Sequence, residues 1–351
     1  TDDAARPVKP EFVASLATVE AADAILLTGC TVREEAPLLG HRVRQAWRGG
    51  AKVSAINPLD WDFHFDTDLD AFVAPQDMVT ELAALAAAVA SLTGAEVPGA
   101  IAETVNGAEP GTRHDALALR LQKAQQGVVL LGHFAMSHPQ AAWLRALAGY
   151  VAGATQCALN LLAHGGNAAG AWLTGAVPHR GPGGSAVEAG MNAGEMLANP
   201  RKCYLVWGLE PGFDIDNPAR AMAAMRGAEQ LIVVSPYALK GLRMMARLFL
   251  PLAPQPESEG SIVNLNGDVL TYRAAGKASG TSRPGWKILR RLGAELGLEG
   301  FDQVDLAGVQ ADLEAAVAGV TPAIGELSLT TVSPADGLFR IGDVPIYAVD
   351  A

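Results

Sequence analysis

Two short glycine turns carry the residue types from which an α/β protein builds a ligand site. Gly29-Cys30-Thr31 follows the apolar run Ala24-Ile25-Leu26-Leu27, and Gly208-Leu209-Glu210-Pro211 follows Tyr204-Leu205-Val206-Trp207. Open parallel sheets bind ligands beyond the carboxyl ends of their strands, where phosphates find backbone N–H groups. Neither turn has the glycine fingerprint of a dinucleotide site, and Ala275-Gly276-Lys277-Ala278 lacks both the upstream glycine and the magnesium-binding hydroxyl of a P-loop. Glu34, Glu35, Glu210, Asp214 and Asp216 crowd the turns instead, and each carboxylate opposes a pyrophosphate.

Other constellations offer less. His164-Gly165-Gly166 has the look of an esterase oxyanion loop, but Gly184-Ser185-Ala186 does not complete a nucleophile elbow. In an extended strand Asp62, His64 and Asp66 share a face and could ligate a metal; without a turn glycine in the run, a solvated acidic edge is the simpler expectation. His133 and His138 bracket a strand-to-helix turn on no common helical face, and His138-Pro139 suits the start of a helix better than a ligand pair. Cys30, Cys157 and Cys203 lie far apart with no C-x-x-C, which argues against zinc, cluster or disulfide frameworks; they read as buried small hydrophobes rather than nucleophiles, although Cys30, ahead of a helix, has a placement that can lower a thiol pKa.

The elements that position these residues follow from periodicity. Residues 24 to 27 read as a strand, 36 to 48 as a helix with Leu38, Leu39, Val43 and Trp47 on one face, and 52 to 56 as a second strand: a βαβ unit, hence a parallel sheet. A helix is predicted over 78 to 92, and residues 94 to 112 are rich in Gly and Pro. The pattern then restarts with a helix to Gln125, a strand at 128 to 131 and a helix over 139 to 151. Further on come strands at 204 to 207 and 231 to 234 with a helix over 218 to 225 between them, and two helices at about 284 to 297 and 305 to 317. This organisation predicts a first α/β domain over 1–112, a second over 113–260 containing a long Gly-rich surface loop at 164–184, and a C-terminal part of strands and helices over 261–351.

With 351 residues, half of them hydrophobic and only 18% charged, the chain has material for two packed cores and is not disordered. A net charge of −11 disfavours nucleic acid and anionic lipid as partners. No apolar run approaches the roughly 18 residues of a membrane span, and cysteine usage fits a reducing compartment. The start, TDDAARPVKPEF, has no signal-peptide pattern and reads as a piece of a longer chain.

Several motifs, in order, resemble the molybdopterin oxidoreductase superfamily. Gly29-Cys30-Thr31-Val32-Arg33-Glu34-Glu35-Ala36-Pro37 is similar to its G-x-N-P-R-x-x-x-P turn. The strand ending Asn57-Pro58 and Asp70-Ala71-Phe72-Val73-Ala74-Pro75-Gln76-Asp77 continue the likeness, and Trp207-Gly208-Leu209-Glu210-Pro211 repeats the turn. Leu250-Pro251 with Glu259-Gly260-Ser261-Ile262-Val263-Asn264-Leu265-Asn266-Gly267 resembles the later L-P…E-x-G-T-x-x-N-x-E-G segment. Asn167-Ala168-Ala169-Gly170 and Val177-Pro178-His179-Arg180-Gly181-Pro182 add to a resemblance to the complex I branch, the C-terminal half of the iron-sulfur-carrying, molybdopterin-oxidoreductase-like subunit of bacterial NADH-quinone oxidoreductase.

That resemblance implies two doubly wound, mostly parallel Rossmann-like domains with a small C-terminal α+β part. It implies a subunit that carries electrons from NADH toward quinone through iron-sulfur clusters in an N-terminal portion this chain does not contain. The implied partners are other peripheral-arm subunits of a proton-pumping complex, on the cytoplasmic side of the bacterial inner membrane, without direct membrane insertion. Catalytic relatives hold a guanine-dinucleotide molybdenum cofactor in the named turns. Here Thr31 and Glu210 replace the usual Asn, Val32 replaces Pro, Asn57 an acid, Gln76 a Gly and Asp268 an Arg. The expectation is therefore a scaffold with neither catalytic residues nor metal ligands, in which Gly29, Cys30, Thr31, Asn57, Gly208, Glu210 and Asn264 are vestiges of a pocket. Loop 164–184 and stretch 60–70 are the candidate partner contacts. The rival readings are a fragment of a formate-dehydrogenase-like or nitrate-reductase-like molybdoenzyme and a stand-alone nucleotide-binding module.

Overall fold

The computed structural model describes residues 13–162, 165–211, 214–215 and 217–321. The chain divides into two compact units, the first holding residues 13–173 and 263–268 and the second 174–262 and 269–321 of those described.

In the first unit β1 (Ala24–Thr28), β2 (Lys52–Asn57), β3 (Ala71–Phe72), β4 (Gly127–Leu131) and β5 (Ala158–Leu161) form one parallel sheet in the order β3-β2-β1-β4-β5. Alternation explains why these strands are apolar on both faces. Ile25, Leu27, Val53, Ala55, Val128 and Leu130 face the core that includes Leu39 and Val43 of the helix Pro37–Arg48. Leu26, Ile56, Val129 and Leu131 face the one built on the helices Met78–Thr93, Thr112–Lys123 and Ala141–Thr155. Pro37 starts its helix without needing an N–H partner, and Gly94 ends Met78–Thr93 in the left-handed region (φ 68°).

The boundary expected near residue 112 falls inside this unit. Val128 to Leu131 pairs directly with β1, and the Gly- and Pro-rich stretch before it contains a helix, Gly99–Asn106, whose Ile101 and Val105 are buried. The turn signals there mark a connection within one sheet. The short strand β5, preceded by Gln156 in a left-handed conformation, has no clear period in the sequence.

In the second unit β6 (Cys203–Trp207), β7 (Gln230–Ser235) and β8 (Leu248–Pro251) are parallel in sequential order. Tyr204, Val206, Leu231 and Val233 pack with Ala221, Ala224 and Met225 of the helix Pro218–Arg226 and with Leu242. A two-stranded ribbon, β9 (Gly260–Val263) with β10 (Val269–Tyr272), precedes the helices Gly285–Glu295 and Leu306–Val317. These elements belong to one unit with residues 174–262 and form no separate C-terminal part among the described residues; residues 322–351 lie outside them. The Gly-rich stretch is less irregular than its composition suggests. Ala168–Thr174 is helical, Pro182–Gly184 forms a turn of 3-10 helix, and His164 lies outside the described residues.

Asn160, fully buried on β5, accepts from the Ala14 N–H (2.9 Å) and donates to its carbonyl (2.8 Å), tying the start of the described chain to the sheet. Asn160→Ala strands a buried donor and acceptor, so it should lower unfolding free energy by about 2 kcal/mol. Urea titration checks this, and a change within noise would contradict the assignment.

Candidate functional site

The strand order reverses direction between β1 and β4, the position at which a doubly wound sheet opens a crevice for ligands. Here the two loops that would flank the crevice lie against each other. Gly29, in the left-handed region at φ 53°, has no room for a side chain, since a Cβ would sit 2.6 Å from the Ala135 nitrogen. At Gly132 a Cβ would lie 2.3 Å from the Cys30 Cα. Hydrogen bonds join the same loops: Gly132 N–H donates to the Thr28 carbonyl (3.0 Å) and Ala135 N–H to that of Gly29 (3.2 Å).

Asn57, at the end of β2, secures the turn from its other side. Its Oδ1 accepts from Cys30 N–H (2.8 Å) and its Nδ2 donates to the Cys30 carbonyl (3.2 Å). An acid at this position would offer no donor for that carbonyl.

At the centre lies Glu35, the last residue of the short helix Val32–Glu35 and only 1% exposed. Its Oε1 accepts from the Thr31 N–H (2.7 Å) and the Thr31 hydroxyl (2.9 Å), and its Oε2 accepts from the His133 N–H (2.8 Å). Charged acceptors make the stronger hydrogen bonds, and these three donors come from the loops after β1 and β4. In the sequence Glu35 reads only as one of several repelling acids. Its burial is the fact the sequence lacks, and a carboxylate four residues after a turn amide is the signal that was available.

Cys30 is buried, and burial first, then the charge of Glu35, pushes its thiol well above the ordinary cysteine value. The lowered pKa that its place ahead of a helix could have given is not found: Cys30 is a buried small side chain, and desolvation outweighs the local N–H groups. Cys157 is buried and shifted upward by desolvation as well, whereas Cys203 is exposed.

In the second unit Gly208 also adopts a left-handed conformation (φ 60°), and its N–H donates to the Val234 carbonyl (2.7 Å). The Glu210 N–H donates to the Asp214 carboxylate, again four residues on, while Asp214 N–H donates back to the Glu210 carbonyl (2.9 Å). Asp216 lies outside the described residues. Asn264, assigned to the first unit, spends its amide on Asp268: Nδ2 donates to the carboxylate (3.1 Å) and Oδ1 accepts from the Asp268 N–H (2.9 Å). The structure therefore brings Gly29, Cys30, Thr31 and Asn57 together around Glu35, and it places Asn264 in a separate turn of the same unit.

The remaining candidates resolve structurally. Residues 60–70 are not a strand: His64 has φ 59°, its N–H donates to Asp62 (3.0 Å), and Phe63 is buried and stacked on Phe65 at 5.4 Å. The shared face that an extended strand would give Asp62, His64 and Asp66 does not form, and no group of three or more His, Cys, Asp or Glu among the described residues is arranged to hold a metal. Nor is the stretch simply a solvated edge. Asp70 accepts from the Ala55 N–H (2.7 Å) and the Thr67 hydroxyl (2.6 Å), and Asp68 pairs with Arg120. His138 is buried, its Nε2 against the Pro75 carbonyl (3.0 Å), its Nδ1 accepting from Gln140 N–H (3.0 Å), and desolvation lowers its pKa. It closes the short helix His133–Ser137, and Gln140, two residues on, caps Ala141–Thr155, so the helix entry expected at His138-Pro139 falls two residues later.

Comparison with known proteins accords with this architecture. Residues 8–295 match the Molybdopterin oxidoreductase family, and the chain belongs to it. The mitochondrial 78 kDa subunit of NADH-ubiquinone oxidoreductase from Neurospora crassa is 26% identical over 291 residues, covering 82% of this chain. The chain spans about a third of that relative's length (32%). Among solved structures, acetylene hydratase from Pelobacter acetylenicus superposes with a TM-score of 0.58 at 12% identity, over 86% of this chain and 52% of its own. A formyltransferase/hydrolase complex from Methylorubrum extorquens, solved with methylofuran, gives 0.53 at 16% identity, over 80% of this chain and 77% of its own. These similarities establish the fold; the two enzymes' names describe different reactions, so the fold does not specify one.

The family implies a molybdopterin cofactor whose phosphates would meet the turn after β1. The residues present do not fit it. The amides of Thr31 and His133 already donate to Glu35, the loops are in contact, and a phosphate would meet a buried carboxylate. The raised thiol pKa gives a further expectation. Iodoacetamide at pH 8 should label Cys203 rapidly and leave Cys30 and Cys157 unmodified until the protein unfolds, and early mass-spectrometric labelling of Cys30 would contradict the site as described.

Proposed function

We propose that this chain is a structural module of a 78 kDa-type subunit of a proton-pumping NADH:quinone oxidoreductase, holding no cofactor of its own. The single observation that carries the reading is the sequence relationship to the Neurospora crassa subunit across most of this chain. Glu35 supports the cofactor-free part, since the donors that would greet a phosphate are committed to it.

In this reading the electrons travel from NADH toward quinone through iron-sulfur clusters carried elsewhere in the full-length subunit. This module packs against neighbouring subunits of the peripheral arm, on the cytoplasmic side of the bacterial inner membrane. Packing needs a close-packed, inert body, and the burial of Cys30 and Cys157 with the close contact of the turns at Gly29 and Gly132 suits one. Among the described residues no helix is long and apolar enough to cross a membrane, which suits association through partners.

The competing reading, a molybdenum-dependent oxidoreductase fragment, draws on family membership itself. Purification of the tagged full-length protein from its native membranes separates the two. Co-purification with NADH:quinone oxidoreductase activity, with iron and without molybdenum, is expected; stoichiometric molybdenum and guanine nucleotide would overturn the proposal. Millimolar GMP or NADH should leave the melting temperature of the present chain unchanged, whereas a saturable rise would signal a bound nucleotide.

A further inference from the structure

The geometry points to Glu35 as a captive ligand: its side chain fills a carboxylate-binding site, formed by the Thr31 amide and hydroxyl and the His133 amide, that is competent to bind a free small carboxylate once that side chain is removed. This deepens the cofactor-free reading and rests on it.

The argument starts from hydrogen-bond accounting. A buried N–H without an acceptor is costly, so almost every one in a native protein is paired. Thr31 and His133 are buried; Thr31 caps the short helix Val32–Glu35 and His133 opens the short helix His133–Ser137, positions whose backbone N–H is not used by the helix's own hydrogen bonds. Both amides and the Thr31 hydroxyl converge on the two oxygens of one carboxylate at 2.7 to 2.9 Å. Such convergence is what a binding protein arranges around a free anion. Here the anion is covalently attached, so it is always present and no ligand concentration or translational entropy is involved in holding it.

The donor arrangement does not depend on Glu35 alone. Asn57 fixes Cys30, next to Thr31, and the hydrogen bond from Gly132 to Thr28 fixes the residue preceding His133. Deleting the side chain beyond Cβ should therefore leave three preset donors facing a space the size of a carboxylate. Phosphate, larger and tetrahedral, fits that space less well because Gly29 and Gly132 hold the loops in contact.

Thermal melting of Glu35→Ala in acetate and in chloride at equal ionic strength tests the inference. In chloride the variant should melt about 10 °C below the parent, reflecting three unpaired buried donors. Acetate should recover at least half of that loss and saturate, phosphate should recover less, and the parent should respond to none of them. Glu35→Gln serves as the second variant. Its amide fills the same space but turns a donor toward a donor, so it should melt below the parent and gain nothing specific from acetate.

Glu35→Ala melting like the parent, or gaining equally from acetate and chloride, would overturn the inference. So would an acetate gain in Glu35→Gln equal to that in Glu35→Ala, which would place the anion elsewhere. Should Glu35→Ala fold in neither salt, Glu35→Gln decides: melting with the parent overturns, and a clear loss supports. A failed rescue leaves the subunit assignment, read from co-purification, untouched.

Discussion

A buried carboxylate persists in a folded protein only where several donors replace the water it has lost, and Glu35 meets that condition by joining the loops after β1 and β4. The rest of the first unit can be understood from this contact. The loops must approach closely enough for one carboxylate to reach both, which places glycine at positions 29 and 132. The turn must stay fixed, which Asn57 accomplishes by bonding both the N–H and the carbonyl of Cys30. Cys30 is then enclosed beside a negative charge and loses the acidity that would make it reactive.

The same device recurs in weaker form. Glu210 and Asp214, like Thr31 and Glu35, pair a turn amide with an acid four residues on, and Asn264 pairs with Asp268 at that spacing through its side chain and the Asp268 amide. Asp214 and Asp268 are solvent-exposed, so their contributions to stability are smaller than that of Glu35. At the turns of Thr31 and Glu210 the chain itself supplies the negative charge that meets the backbone N–H, and at Asp268 the neutral Asn264 oxygen meets it. A fold shared with enzymes whose names describe unrelated reactions is in this sense a frame, and the side chains at its switch point decide what it accepts.

Much of the frame is legible in the sequence because its strands are continuous apolar runs and its helices have clear stops. Ala24 to Leu27, the Pro37 helix and Val128 to Leu131 are examples. What stays hidden is non-local. Periodicity cannot show that β4 pairs with β1 across about a hundred intervening residues, so the Gly- and Pro-rich stretch before it resembles a domain boundary. Alternation at 60–70 suggests a strand, but His64 and Leu69 adopt left-handed conformations and Phe63 turns into the core. At the site, Gly29, Cys30, Thr31 and Asn57 can be picked out from their order and spacing. Glu35 and Glu34 have equal standing there, since only burial distinguishes a bonded acid from a solvated one.

Amide hydrogen exchange of the unmodified chain, resolved at single residues, tests the central contact most directly. If the Glu35 carboxylate holds both loops, the Thr31 and His133 amides should exchange as slowly as the core amides of β1 and β4, although neither belongs to a strand. Exchange of these two amides at the rate of exposed loop residues would show that the crevice is open and contradict the account.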